Sequence, residues 1–387
     1  MRRRVLLVQP SMQPPGGGNG VAAWMLQALA ADHDVTVLSW SPVDVAPINR
    51  FFGTSLRGDD FVTHVVPRSW RSIPDLLPVP AALLRSSLLM RYTRRVIDGF
   101  DVIVGVHNET DYGRRGIQYV HYPSYLRPRP EVDLRWYHRS APLLNAYYSA
   151  ADRLAGFSLE RMKANLTLAN SDWTASRLQR FLGIDAVTLY PPVLAAGPQS
   201  PWHERRRGFV MMGRISPEKE YERAMRILAR VRAHASDTTL TIIGTWDART
   251  EGYYSRLVAL ARSLDPAGAW ITFRRDLSRD EVRVVLTTTR YGIHGMREEH
   301  FGMAPAEMVG AGMIVWVPDG GGQVEIVGDA PLLRYDDEDQ AVDQILRVVS
   351  DEAEERRLRD QLAAQGERFS TERFVREIRT IVETFRG

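Results

Sequence analysis

The sequence predicts an α/β protein made of two doubly wound, Rossmann-like domains facing a central cleft. Three observations predict it. The chain opens with an apolar strand, Val5 to Gln9, then the loop MQPPGGGNG and the helical run VAAWMLQALAADH, which is the start of a doubly wound unit. Strand and helix alternation stops at the polar segment LAAGPQSPWHERRR and restarts after it at GFVMMGR. Finally, 387 residues with 44% hydrophobic and 25% charged content are enough for two cores of ordinary size.

In the first domain, expected over 1–195, DVTVLSW (34–40), DVIVGVH (101–107) and GIQYVHYP (116–123) read as strands, the last two ending in polar residues. In open α/β sheets the carboxyl edge is where ligands bind. Residues 76–96 are apolar with Arg85, Arg91, Arg94 and Arg95 toward the end, which predicts a surface helix on the sheet. The same composition suits peripheral contact with an anionic membrane through residues 83–96. LTLAN is a short strand, Ser171 or Asp172 caps the helix TASRLQRFL, and TLYPPV (188–193) is a last strand stopped by two prolines.

The second domain, expected over 196–366, repeats the scheme. GFVMMGR, TLTIIGT, AWITFRRD, YGIHG and MIVWVPD are strands, separated by helices that include 218–235, one from Asp280 and a short one near Ala304. A C-terminal piece, 367–387, has Ser370 or Thr371 as N-cap and Glu372 in its first turn, and is expected to pack back on the first domain.

Bulk properties exclude several classes. A net charge of +3 over this length gives no nucleic-acid footprint. The absence of cysteine excludes disulfides, thiolate nucleophiles and zinc–thiolate sites. Lys163 and Lys219 are the only lysines, so the positive charge is nearly all arginine, as codon bias in a GC-rich genome would give, and a bacterial source is expected. The apolar run Val5 to Val8 is too short for a signal peptide and no run reaches the length of a membrane span, so a cytoplasmic location is expected, peripheral to a membrane at most. In that setting the sequons at Asn108 and Asn165 carry no meaning.

Four constellations carry chemistry. Gly16, Gly17, Gly18, Asn19 and Gly20 put bare amides at a helix N-terminus, suited to an anion, but their spacing breaks the G-x-G-x-x-G pattern and disfavours a nicotinamide cofactor. Arg214 and Lys219 in GRISPEKE can neutralise a leaving diphosphate; in the opposing reading Arg214 pairs with Glu218 or Glu220 on the surface. Glu299 precedes a short helix that contains Glu307, and such carboxylates accept bidentate hydrogen bonds from vicinal sugar hydroxyls. His121 stands at a strand end of the first domain, positioned to face a sugar across the cleft or to be a core histidine. Gly320, Gly321 and Gly322 form either a backbone site near Glu307 or only a turn. Asp337 and Asp339 match a D-x-D diphosphate–metal pattern but read better as a helix cap, so no metal is assigned.

GGGNG, NSDWTASRL, YPPV, GRISPEKE, Glu299 and Glu307 with seven residues between them, and GGGQVEIV occur in that order over nearly the whole length. Together they resemble the retaining, nucleotide-sugar-dependent glycosyltransferases of family 4, whose fold is GT-B. YVHYP, YPPV and GIHGMREEHFGMAPAEMVGAGMIV are most similar to the GDP-mannose-dependent α-1,2-mannosyltransferase type that extends a lipid-linked oligosaccharide. The chain departs from that type in lacking an N-terminal membrane helix and in being shorter.

The resemblance implies that Arg214 and Lys219 hold the diphosphate and Glu307 the ribose. Glu299 with His300, Phe301, Gly302 and Met303 would hold the hexose, the amides of Phe301 to Met303 taking part. His121 would touch the hexose from the other side, and Asn19 with Gly20 would close the phosphate end. It also implies a metal-independent hexosyl transfer with retention from a GDP- or UDP-sugar co-substrate, without a cofactor, to a hydroxyl of a small-molecule, natural-product or glycolipid acceptor. Acceptor contacts are expected from 41–95 and 124–138. Two other functions use the same fold features: a nucleotide-sugar epimerase, and a non-catalytic nucleotide-sugar-binding regulator.

Overall fold

In the computed structural model, which describes residues 2–13, 17–76, 82–124 and 140–387, every sheet strand pairs in parallel. The first sheet contains β1 (Arg4–Val8), β2 (Asp34–Ser39), β3 (Val62–Val65), β4 (Val102–Gly105), β5 (Ile117–Val120), β6 (Leu166–Ala169) and β7 (Ala186–Thr188). Their order is β3-β2-β1-β4-β5-β6-β7. The second contains β8 (Arg206–Arg214), β9 (Thr239–Thr245), β10 (Ile271–Arg275), β11 (Thr289–Ile293), β12 (Ile314–Pro318) and β13 (Arg334–Tyr335), in the order β10-β9-β8-β11-β12-β13.

Apolar runs such as VLLV form these strands because a parallel sheet covered by helices is buried on both faces. Alternation sorts each run between two cores. Val5, Leu7, Val35 and Val37 join one core with the helix Gly17–Ala30, while Leu6, Val8 and Leu38 join the other with Leu89 and Tyr92 of the helix Ala82–Val96. The first core also takes Phe374, Ile378, Val382 and Phe385 from the helix Thr371–Thr384 and its end. Arg3 donates to the carbonyls of Val382 and Phe385, a cation at a helix C-terminus.

The chain divides into two units, 1–190 with 374–387 and 191–373. Each sheet reverses its winding once, between β1 and β4 and between β8 and β11, and loops leaving these neighbours at their carboxyl ends define a ligand crevice in such folds. In the second unit those are the loops that carry Lys219 and Glu299.

The structure corrects several expected boundaries. TLYPPV is not a strand: β7 ends at Thr188, and Val193 makes an isolated bridge with Ser370. The helix expected from 218 begins at Tyr221, after a 3-10 turn over Pro217–Lys219 and Glu220 at φ 50°. The edge strands β3 and β13 were not anticipated.

Asp337 caps the helix Glu338–Val349 through the Gln340 amide at 2.8 Å, and Asp339 pairs with Arg230 at 2.7 Å. In the arginine-rich helix, Arg94 bonds Asp111 at 2.8 Å, Arg91 donates to the Leu154 carbonyl, and Arg95 lies over the Trp70 ring. Gly16 of the first glycine loop, residues 77–81 ahead of that helix, and 125–138 of the expected acceptor region lie outside the described residues. Among those described, no helix is long and apolar enough to cross a membrane.

Candidate active site

Local packing brings the β8 and β11 loops into contact. Gly295 follows β11, and a Cβ there would lie 2.5 Å from the Glu220 carbonyl and 2.7 Å from that of Lys219. Only a bare α-carbon permits that approach. The Tyr221 hydroxyl donates to the Gly213 carbonyl at 3.0 Å, and Arg223, itself buried, reaches Glu220 at 2.5 Å. The left-handed Glu220 is thus held from both sides.

The contact places the Lys219 ammonium against the Glu299 carboxylate as an ion pair through Oε2, with Met296 Sδ 3.5 Å from Nζ. The same Oε2 lies 3.0 Å from His294 Nε2, on a ring that is 1% exposed. Burial opposes ionisation of Glu299, but the His294 hydrogen bond and the Lys219 charge outweigh it and hold the carboxyl well below the usual carboxylate range. Burial lowers the His294 pKa against the pull of Glu299, so a neutral ring donates to a carboxylate.

The glycine triplet builds this loop. Cβ atoms on Gly320, Gly321 and Gly322 would meet the backbone of Arg297, Glu299 and His300 at 2.8, 2.3 and 2.3 Å, and the Gly322 amide donates to the Glu299 carbonyl at 2.7 Å. Gln323, fully buried, donates to the carbonyls of Met296, Gly320 and Pro318. Of the two readings of the triplet, the structure supports a turn, and one that fixes Glu299.

Beyond Glu299, Phe301 is buried with its ring 5.5 Å from that of Phe369. Gly302, at φ 108°, caps the helix Met303–Gly310 with no side-chain bond. Glu307 is on that helix, about a quarter exposed, with Arg279 4.0 Å away. Burial raises its pKa and Arg279 offsets this only in part. Arg214 is largely exposed and lies 3.6 Å from Glu218, which also accepts from Ser216. The structure thus joins Lys219 to Glu299 and gives Arg214 the surface pairing. His294 and Gln323 escaped the sequence reading, His294 because it reads as the end of the apolar strand YGIHG.

In the first unit His121 packs its ring against Gly18, where a Cβ would lie 3.3 Å from Nε2, and Nε2 is 2.9 Å from the Val106 carbonyl. A carbonyl only accepts, so Nε2 carries the proton. Burial pulls the ring down to about 4, so it is neutral at pH 7. Asn108, at φ 77°, accepts from the His121 and Tyr122 amides. Asn19 accepts from Gln9 at 2.7 Å, and Gly20 leaves room for the Phe52 ring, 3.0 Å from where a Cβ would stand.

Residues 196–368 match the family model of glycosyl transferases group 1. Among curated relatives, GDP-Man:Man(3)GlcNAc(2)-PP-Dol alpha-1,2-mannosyltransferase of Homo sapiens is 25% identical over 229 residues, 54% of this chain and 46% of the relative. The protein of the same name from Dictyostelium discoideum is 26% identical over 168 residues, 39% and 33% of the two chains. The chain therefore spans less than half the length of these relatives.

The fold is GT-B. Superposition on WaaG, a glycosyltransferase involved in lipopolysaccharide biosynthesis, gives a TM-score of 0.70 at 14% identity over 98% of this chain and 100% of the other. Superposition on Anabaena HepE in complex with UDP and glucose also gives 0.70 at 14%, over 99% and 100%.

Proposed function

We propose that this protein is a glycosyltransferase that moves a hexose, with retention and without a metal, from a nucleoside diphosphate sugar to a hydroxyl acceptor. The observation that carries the reading is the Lys219–Glu299–His294 cluster at the winding reversal of the second sheet, inside the segment matched by the family model. A diphosphate leaving group needs positive charge where its negative charge develops, and a preorganised cation supplies it without reorganisation. Lys219 supplies this charge, and Arg214, exposed at the end of β8, joins it by exchanging Glu218 for phosphate. Glu299 stays ionised and accepts from sugar hydroxyls. The amides of Phe301 to Met303, around the N-cap Gly302 that has no side-chain bond, meet the hexose and Glu307 meets the ribose. From the first unit, neutral His121 offers a hydrogen bond to the sugar, and Asn19 with Gly20 meets phosphate at the start of the helix Gly17–Ala30.

GDP-mannose is the donor favoured by the names of the curated relatives, and UDP-sugars by the UDP and glucose bound to HepE. The relatives' names also support a lipid-linked acceptor. Thermal shift against UDP, GDP, ADP and dTDP tests the donor class, since a ligand that binds only the folded protein raises its melting point. NMR of the matching sugar nucleotide with an acceptor panel then reads transfer and anomeric configuration. A stabilising nucleotide with no sugar released to acceptor or water overturns the transferase reading.

A further inference from the structure

His294 follows the end of β11 with its main chain fixed on both sides. Its amide donates to the Trp316 carbonyl at 2.9 Å, and its carbonyl accepts from the Tyr335 hydroxyl. On the ring, Nε2 faces Glu299 Oε2 at 3.0 Å, while Nδ1 is buried with no partner. A carboxylate can only accept, so the proton sits on Nε2.

Oε2 is therefore held by two donors of different kinds. Lys219 is a flexible ammonium with another task on donor binding, since the donor-site reading gives it the diphosphate. His294 is a rigid, buried ring whose Nε2 faces Glu299. If Lys219 were the only partner, its move toward phosphate would free the carboxylate to rotate and misalign the oxygens that meet the sugar.

We infer that His294 is a positioning residue: its Nε2–H anchors Glu299 Oε2 from the buried side, so the carboxylate keeps one orientation when Lys219 turns to the diphosphate. The inference rests on the donor-site reading above, and two measurements separate the fates of the two.

Nitrogen-15 spectra of histidine-labelled protein, with the His294 signals identified by their loss in His294→Gln, report the ring itself. A neutral ring protonated on Nε2 is expected at about pH 7 to 8, with its shift displaced in Glu299→Gln. A ring protonated on Nδ1, or on both nitrogens, overturns the inference whether or not the protein transfers sugar.

The second measurement is kinetic. His294→Phe keeps the ring volume and removes the donor, whereas His294→Gln keeps an N–H of similar reach. His294→Phe should lower kcat/KM for the sugar nucleotide at least roughly tenfold, and His294→Gln should recover to within about threefold of the unaltered protein. Binding of free UDP or GDP should change by less than about threefold in both. Activity of His294→Phe within about twofold of the unaltered protein, or His294→Gln as impaired as His294→Phe at an unchanged melting point, overturns it. If His294→Phe does not fold, the His294→Gln kinetics and the nitrogen spectra decide. A protein that turns over no sugar nucleotide removes the donor-site reading and leaves the spectra to judge this one.

Discussion

Lys219 and Glu299 are eighty residues apart in sequence and form an ion pair whose side chains are 16% and 15% exposed. Half-buried pairs of this kind cost more to break by removing one partner than they contribute as a pair, because the survivor keeps its desolvation penalty. Here the survivor of a lysine deletion still has His294 as donor.

Lys219→Ala is therefore expected to fold and to lose turnover at least roughly tenfold, about 1.4 kcal/mol of barrier or more. Steady-state transfer assays beside a melting curve check this. Unchanged turnover would remove Lys219 from the leaving-group role.

Gly295→Ala tests the loop contact itself. Its Cβ would press on the carbonyls of Glu220 and Lys219 at 2.5 and 2.7 Å, both backbone atoms. Overpacking of this kind costs roughly 1–3 kcal/mol, and the displaced turn carries Lys219 with it. A lowered melting point together with reduced transfer is the expected result. Full activity at an unchanged melting point would mean that the loops separate without consequence.

Glu307 makes the opposite trade. Its carboxyl is pushed up by burial, with only Arg279 at 4.0 Å to offset it. Glu307→Gln should leave stability at pH 7 unchanged or slightly raised, since no close partner is orphaned. It should also weaken nucleotide binding by about tenfold or more through loss of a charge-assisted hydrogen bond. Calorimetry with UDP and GDP checks the second effect. Equal affinity in the variant would place the ribose elsewhere.

Acid should weaken the first unit by a route that His121 makes visible. Burial takes its imidazole down from 6.5 to about 4, and His107 falls to about 4 through burial and the neighbouring His121. Above about pH 6.5 both rings are neutral folded or unfolded and contribute nothing to the pH dependence. Between the two values the unfolded chain binds protons that the folded one refuses, so stability is lost as pH falls from 6.5 toward 4. Denaturant midpoints across that window should fall less steeply for His121→Phe than for the unaltered protein. Equal slopes would assign the acid sensitivity to other groups.

The alternation of strands and helices was legible because parallel strands buried on both faces leave uninterrupted apolar runs, as in VLLV and MIVWVP. Edge strands as short as Val62–Val65 and Arg334–Tyr335 leave no such run. At the site, the Glu299 and Glu307 spacing and the rarity of lysine singled out Glu299 and Lys219, which the structure joins as an ion pair. That Lys219 meets Glu299 was not readable, since it depends on β8 and β11 being neighbours in the sheet. His294 and Gln323 were hidden for a related reason. A buried histidine after a strand and a glutamine after three glycines acquire a role only once residues 296–301 fold against 320–323.

The helix that ends the described chain supplies Phe374, Ile378 and Val382 to the core built around β1. The second unit is therefore an insertion, encoded between two parts of the first. During synthesis the Lys219–Glu299 loops emerge complete while the first core still lacks its last layer of side chains. Synthesis order thus encodes all of 191–373 before the first unit receives its last core side chains, and a chain stopped before residue 374 lacks Phe374, Ile378, Val382 and Phe385 from that core.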